Sequence, residues 1–449
     1  MRKVITLFLV AITIYSFGQS ESEQDIQKYC SITREHIYKD YKGMYREAKG
    51  NLKYPFISPG SDAYSTQLWD WDSWLSNIAL RQILLETGND KDKKEAMKYE
   101  QGCILNFLSS CTWDGYMPIV ISTEGKWERP SDIYNQNMHK PVLAQHAAFL
   151  TKLNNGDAEW LREKFYDFQR FINNYRNYFK NKPTGLFYWQ TDYAIGGDND
   201  PCTFFRPPKS SGAIYLNCLM YKEFLAMAYL AKQLNQESLA TEYLQDAETL
   251  KAAIQKNCWD ERDGFYYSVD LNLLPITNKP MEGGDFILHC NAPRDWDCLI
   301  QRIEVWSGFM PLWAGIADKD QAKRVVEEHY KIKKTFNADY GIRTLSKMEK
   351  MYSVKATGNP SCWLGPVWGV SNYMVWHGLV KYGYIEEARE LAQKTILLFG
   401  KDFEKNGALH EYYEPESGVP LLNKGFQNWN YLVLNMIAWY EGKEFIEEF

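Results

Sequence analysis

Histidine is scarce in this chain, at 7 of 449 residues, and positive charge is not in excess. Lys and Arg number 51 against 57 Asp and Glu, a formal net charge of -6 with no large basic block. A protein that grips nucleic acid by neutralising phosphates carries a basic surface excess, so that class is set aside. No CxxC spacing and no His-x-x-x-His pair occurs, which leaves a zinc site without support. No Gly-rich phosphate loop and no dense carboxylate cluster is present either, so neither a cofactor nor a metal is expected. Beyond residue 18 no apolar run reaches the ~18 residues a membrane span needs. Nor does a Pro/Ser-rich linker, a low-complexity tract or a charge run break residues 19–449. Length alone would allow two or three domains, but the missing linker favours one large domain. With 45% hydrophobic and 24% charged residues, a disordered or collagen-like chain is excluded.

The first 18 residues, MRKVITLFLVAITIYSFG, read as a signal peptide. Arg2 and Lys3 precede an apolar stretch from Val4 to about Tyr15, and Ser16 and Gly18 are small residues at the -3 and -1 positions of a cut before Gln19. No Cys lies between Met1 and Tyr29, so no lipid anchor is expected at the cleavage site, and the mature chain is expected to be periplasmic or secreted. There are nine cysteines, an odd number. Cys103–Cys111 and Cys290–Cys298 are the closest pairs for disulfides in an exported protein, but the favoured reading is that most are small buried hydrophobes.

What the chain has in abundance is aromatic rings: Trp 16, Tyr 31 and Phe 22 make up 15% of it. Composition cannot divide these between core packing and sugar stacking, for which Trp and Tyr offer a flat apolar face with a polar edge. Apolar residues at three- and four-residue spacing predict helices over 72–87, 140–153, 157–178, 213–235, 239–256, 307–317, 319–332, 367–382, 385–400 and 428–441. Gly88, Asn154, Asn235, Gly383 and Gly400 mark helix ends. The helices come in pairs, a longer apolar one followed by a more amphipathic one, as in 213–235 then 239–256. An all-α toroid with an inner and an outer ring of helices explains that alternation. Long aromatic-rich loops at 54–71, 111–139, 180–211, 259–298, 334–366 and 402–427 are expected to gather on one face as a pocket.

Two acidic centres sit in two of those loops. GLFYWQTDYAIGGDNDPC (185–202) carries Asp192, Asp198 and Asp200, and GALHEYYEPESGVP (407–420) carries Glu411. Glycoside cleavage needs such a pair: one carboxyl protonates the leaving oxygen while the other activates water or attacks the sugar. Any single loop carboxylate, taken alone, reads more simply as a cap or a solvated group.

Eight short blocks, in order over roughly residues 60 to 440, resemble glycoside hydrolase family 63 and its relatives, the bacterial mannosylglycerate and glucosylglycerate hydrolases and, more distantly, the trehalases. They are QLWDWDSWLSNIAL (67–80), HKPVLAQHAA (139–148), GLFYWQTDYAIGGDNDP (185–201), LNCLMYKE (216–223), CWDERDGFYY (258–267), GFMPLWAGIAD (308–318), CWLGPVWGVSNYMVWHGLVKYGY (362–384) and HEYYEPESGVPLLNKGFQNW (410–429). The resemblance implies a six-hairpin (α/α) barrel and inverting hydrolysis of an α-linked glucoside or similar sugar, a disaccharide or short oligosaccharide. It places Asp198 on the family's general acid and Glu411 on its general base. In an inverting enzyme the two carboxyls stand ~6.5–9.5 Å apart. Asp200 is the internal rival for the acid role, ranked behind Asp198 because Asn199 follows Asp198 as in the family pattern. Trp69, Trp71, Asp72, Lys140, Trp189, Asn199, Trp363, Trp368 and Trp429 fall on expected substrate-binding positions, and Arg206 is a weaker candidate. The chain departs from the pattern at Ala194, Cys202 and Leu364, where the family has Glu, often Arg, and Arg. Those departures leave the sugar open.

Two other classes fit parts of the same record. A non-catalytic glycan-binding protein for sugar uptake would share the aromatic richness, the helices and the export signal. A polysaccharide lyase on the same scaffold would need Tyr or His as base and Arg or Lys against a uronate, with His410 the nearest candidate.

Overall fold

The computed structural model describes residues 23–132, 136–274 and 293–449. The leader expected at 1–18, and Cys290 with its pairing, lie outside the described residues. The chain is helix-rich, as expected. In order the helices are α1 (Glu23–Asp40), α2 (Ser61–Tyr64), α3 (Asp70–Thr87), α4 (Asp90–Ser110), α5 (Leu143–Leu153), α6 (Phe165–Tyr178), α7 (Ile214–Gln233), α8 (Glu237–Asn257), α9 (Met310–Ala314), α10 (Lys319–Arg324), α11 (Gly369–Lys381), α12 (Ile385–Asn406) and α13 (Val433–Tyr440).

The alternation in the sequence is an alternation in space. Helices α3, α5, α7, α9, α11 and α13 are buried on nearly every side, and each packs on the next, with α13 returning to α3. The α4, α8 and α12 helices bury one face only and lie against this inner succession. A helix apolar all round has to be enclosed, while an amphipathic one can face water, so the two patterns sort into inside and outside. Trp74, Trp313 and Trp376 are among the fully buried side chains of the inner helices. Each such burial contributes at least the ~1.5–3 kcal/mol of a large apolar side chain.

Three expectations about the helices are corrected. Helices α1, α2 and α4 lie outside the predicted set; α2 is a single turn within a segment read as loop, and α1 and α4 are rich in charged residues with only a narrow apolar stripe. Val367 and Trp368 form a short strand rather than the start of α11. Gly400 does not end a helix: α12 runs on to Asn406 and stops where Gly407 turns left-handed at φ 71°. Gly400 is instead a contact point, since a Cβ there would overlap the Tyr29 side chain on α1. The disulfide considered for Cys103–Cys111 is absent: both thiols are free, Cys103 fully buried in α4 and Cys111 just beyond it. Beneath the inner helices, Glu448 accepts hydrogen bonds from Trp313 Nε1, from the Tyr373 hydroxyl at 2.7 Å and from His377 Nδ1 at 2.6 Å.

Two antiparallel strand pairs stiffen the loops at the opposite end. Gln67–Trp69 pairs with Val120–Ser122, and Val367–Trp368 pairs with Tyr412–Tyr413, putting Trp368 directly opposite Tyr412. The second pairing carries Glu411 into position, one residue before the strand.

Candidate active site

Five of the six long loops meet around one cavity of about 290 Å³. Tyr64 and Trp69 come from the first loop, Ile119 from the second, and Tyr193, Gly196 and Asp198 from the third. Ser361 and Trp363 come from the fifth, Glu411 and Phe426 from the sixth. Trp71, Asp72, Lys140, Trp368 and Trp429 complete the wall. No described residue of the 259–298 loop lines it.

The walls are a continuous aromatic stack. Trp363 lies on Trp368 with centroids 4.0 Å apart and planes at 14°. Trp368 in turn lies on its cross-strand partner Tyr412 at 4.8 Å, and Trp71 tilts against Trp429 at 4.9 Å. Cross-strand aromatic pairs of this kind hold ring orientation as well as burying area.

Asp198 follows Gly196 and Gly197, and the first glycine is needed. Gly196 sits at φ 75°, and a Cβ there would come within 3.1 Å of both Lys140 Cε and Trp71 Cζ2. Only glycine takes that backbone conformation so close to two side chains without cost. The Asp198 carboxylate accepts from Asn359 Nδ2 at 2.9 Å. Burial raises its pKa above the ordinary aspartate value, while Asn359, Ser361 and the Lys140 charge hold it down.

Glu411 is the more enclosed of the two and has its own set of donors. Tyr64 Oη donates to both carboxylate oxygens at 3.2 Å, and Asn423 Nδ2 donates at 2.6 Å. Burial pushes the Glu411 pKa up to about 7; Asn423 and Tyr64 pull it down, and the nearby Asp198 charge pushes it up. Each carboxyl therefore stands within electrostatic reach of the other. Asp72 is buried with Asn428 Nδ2 on its Oδ1, and burial followed by the Asp70 charge raises it to about 8. A carboxylic acid kept neutral at pH 7 can donate a hydrogen bond. Lys140 is buried as well, with Nζ 3.1 and 3.3 Å from the two oxygens of Asp70 and 5.0 Å from the Trp71 ring centroid.

Of the sequence candidates, Asp198, Glu411, Trp69, Trp71, Asp72, Lys140, Trp363, Trp368 and Trp429 are brought together on this cavity. Trp189 and Asn199 do not reach it. Trp189 packs against Tyr215 and lines a separate recess with Arg206, which pairs with Asp270 at 2.6 Å. Asn199 points behind the wall and accepts the Trp363 backbone N–H at 2.7 Å, so it fixes a cavity residue from outside. Asp200 caps the turn after it through the Cys202 N–H at 2.7 Å and lines a very small void behind Trp71 and Trp363. His410 turns away to Asp402, 2.9 Å from Nδ1, and is not in the wall. Sequence reading missed Tyr64, Ile119, Tyr193, Asn359, Ser361, Asn423 and Phe426. Isolated loop residues carry no periodicity; all seven lie in loops already marked as pocket-forming, but nothing in the sequence singles them out from their neighbours.

A helix-rich scaffold with a carboxyl pair across an aromatic cavity at one end of its inner helices is the arrangement of an (α/α) barrel-type glycosidase fold. Residues 65–430 match the family described as the mannosylglycerate hydrolase MGH1-like glycoside hydrolase domain, and the chain belongs to that family. It is similar to a cytosolic neutral trehalase of Kluyveromyces lactis, 28% identical over 217 residues, 46% of this chain and 25% of the relative. It is also similar to mannosylglycerate hydrolase MGH1 of Selaginella moellendorffii, 33% identical over 125 residues, 25% of this chain and 21% of the relative. The matched stretches thus span a quarter or less of those relatives. Among solved structures, the GH63 mannosylglycerate hydrolase from Thermus thermophilus in complex with glucose superposes with a TM-score of 0.62 at 18% identity, over 90% of this chain and 99% of that one. Neutral trehalase Nth1 from Saccharomyces cerevisiae gives 0.59 at 17% identity, over 91% of this chain and 80% of that one.

Proposed function

We propose that this protein is an exported glycoside hydrolase that cleaves an α-linked glucoside or related sugar with inversion, on a six-hairpin (α/α) toroid. The observation that carries the reading is that Asp198 and Glu411 face one aromatic-walled cavity while held by different partners. Asp198, its pKa raised by burial, holds the proton that passes to the glycosidic oxygen as the bond from that oxygen to the anomeric carbon breaks. Glu411 takes a proton from a water whose oxygen bonds the anomeric carbon from the other face. Tyr64 and Asn423 keep the Glu411 carboxylate oriented toward that water. Trp71, Trp363 and Trp429 offer apolar surface to the sugar's C–H face, Trp368 backs Trp363 from its place between Trp363 and Tyr412, and Asp72 meets a ring hydroxyl. The ring of inner helices from α3 round to α13 supports the toroid, and the pattern of residues 1–18 supports export.

The test is turnover of α-linked disaccharides by Asp198→Asn and Glu411→Gln. Each is expected to lose at least ~10²–10⁴-fold in kcat. Unchanged turnover in either removes that residue from the mechanism. Proton NMR of the first-formed product is expected to show the β anomer, and an α anomer would overturn inversion.

A further inference from the structure

We infer that the cavity selects an uncharged, hydroxyl-bearing aglycone, a neutral polyol or second sugar, and rejects one that carries a carboxylate. The inference rests on the hydrolase reading and narrows its substrate class.

An anionic aglycone needs a cation to meet it. Among the described residues lining the cavity, Lys140 is the one basic side chain. It is spent: 1% exposed, with Nζ on both oxygens of Asp70 and its remaining face over Trp71. Arg206, the other basic candidate in the sequence, is paired with Asp270 in a separate recess. Against these stand three carboxyls directed into the same space, Asp72, Asp198 and Glu411. A carboxylate brought among them gains no ion pair and meets the ionised Glu411, the general base, in a partly desolvated site, where such encounters cost most. It would also hinder ionisation of Glu411, which the reaction requires.

The mouth points the same way. Tyr193, on the loop of the acid, lines the cavity yet is 66% exposed, so its ring is presented rather than packed. Ser361 and Trp69 are likewise only partly covered. A flat ring, a hydroxyl and an indole recognise C–H faces and hydroxyl groups. None of them carries a positive charge to pair with a carboxylate.

The deciding experiment uses two probes that differ only at the charged group: 2-O-α-glucosylglycerol, with a hydroxymethyl, and 2-O-α-glucosylglycerate, with a carboxylate in its place. For the full-length protein, kcat/KM for the glycerol compound is expected to exceed that for the glycerate compound on the order of 100-fold. Equal values, or a preference for the glycerate, overturn the inference. Binding to Asp198→Asn, followed by calorimetry, separates this from the hydrolase reading. If no α-glycoside is turned over, the hydrolase reading fails, yet tighter binding of the glycerol compound still supports the charge preference. Tighter or equal binding of the glycerate overturns it whatever the turnover. If neither probe binds, a panel of neutral α-linked disaccharides decides: binding of one supports the inference, and binding of none overturns it.

Discussion

Glu411 is the residue whose surroundings make the sharpest claim. Asn423 donates to it at 2.6 Å and sits at φ 36°, in the left-handed region. Asn423→Gly removes the amide while keeping a residue that accepts that backbone. A hydrogen bond to a charged group is worth about 1.5–3 kcal/mol, and one pKa unit is 1.36 kcal/mol, so losing this one raises Glu411 by ~1–2 units. The starting point is about 7. The acid limb of kcat/KM, which follows loss of the Glu411 proton, therefore moves from about 7 to ~8–9. At pH 6 the variant is expected to be ~10–100-fold slower than the parent, and at pH 9 the ratio closes to a few-fold. Tyr64→Phe moves the limb the same way by less, because its bonds are longer at 3.2 Å. The assay is kcat/KM against pH from 5 to 9.5 on a neutral α-disaccharide. A uniform loss at every pH, or a limb that stays near 7, refutes the claim that these donors set the ionisation of Glu411.

Other outcomes follow from the packing. Gly400→Ala forces a methyl into Tyr29 and is expected to cost ~1–3 kcal/mol, read as a lower urea midpoint. His377→Ala leaves the buried Glu448 carboxylate without its ion partner and is expected to cost ~3–5 kcal/mol, read from denaturant curves at pH 6. Burial lowers His377, but the Glu448 charge and the hydrogen bonds to Glu447 and Glu448 outweigh it and raise His377 to about 9, against an ordinary value of 6.5. Folded-state pKa is raised, so its contribution is complete below about 6.5 and lost as pH climbs through about 9; the Tm gap between parent and His377→Ala should shrink over that window. Asn199→Ala releases the Trp363 N–H and is expected to raise KM more than it lowers kcat, since it loosens a wall and not an acid. Peptide mapping without reductant is expected to recover Cys103 and Cys111 unlinked.

Periodicity revealed the inner helices because each is apolar all round, as 213–235 and 367–382 are in sequence. It missed α1 and α4, whose stripes are thin and whose charged residues dominate any window. Asp198 and Glu411 were readable because each stands in a short, distinctive block; Asn423 and Asn359 were not, because a lone asparagine in a loop resembles any turn residue. Trp189 and Asn199 show the converse. Both lie in the right block, but the loop backbone aims one into the scaffold and the other at a backbone N–H. A sequence block gives neighbourhood, and only the backbone gives direction. Gly400 makes the same point for helix ends, where glycine served the approach of another helix.

The contact between α3 and α13 has a consequence for how the protein is made. Asp72 and Ser76 of α3 are tied to Asn428, 356 and 352 residues further along the chain. During synthesis the flank of α3 that packs on α13 waits, uncovered, until residues 428–440 have emerged, and contacts of such sequence separation are slow to close. A nascent chain stopped before residue 428 would therefore expose apolar surface on α3, and ribosome-bound intermediates of this protein should depend on chaperones until α13 has been made.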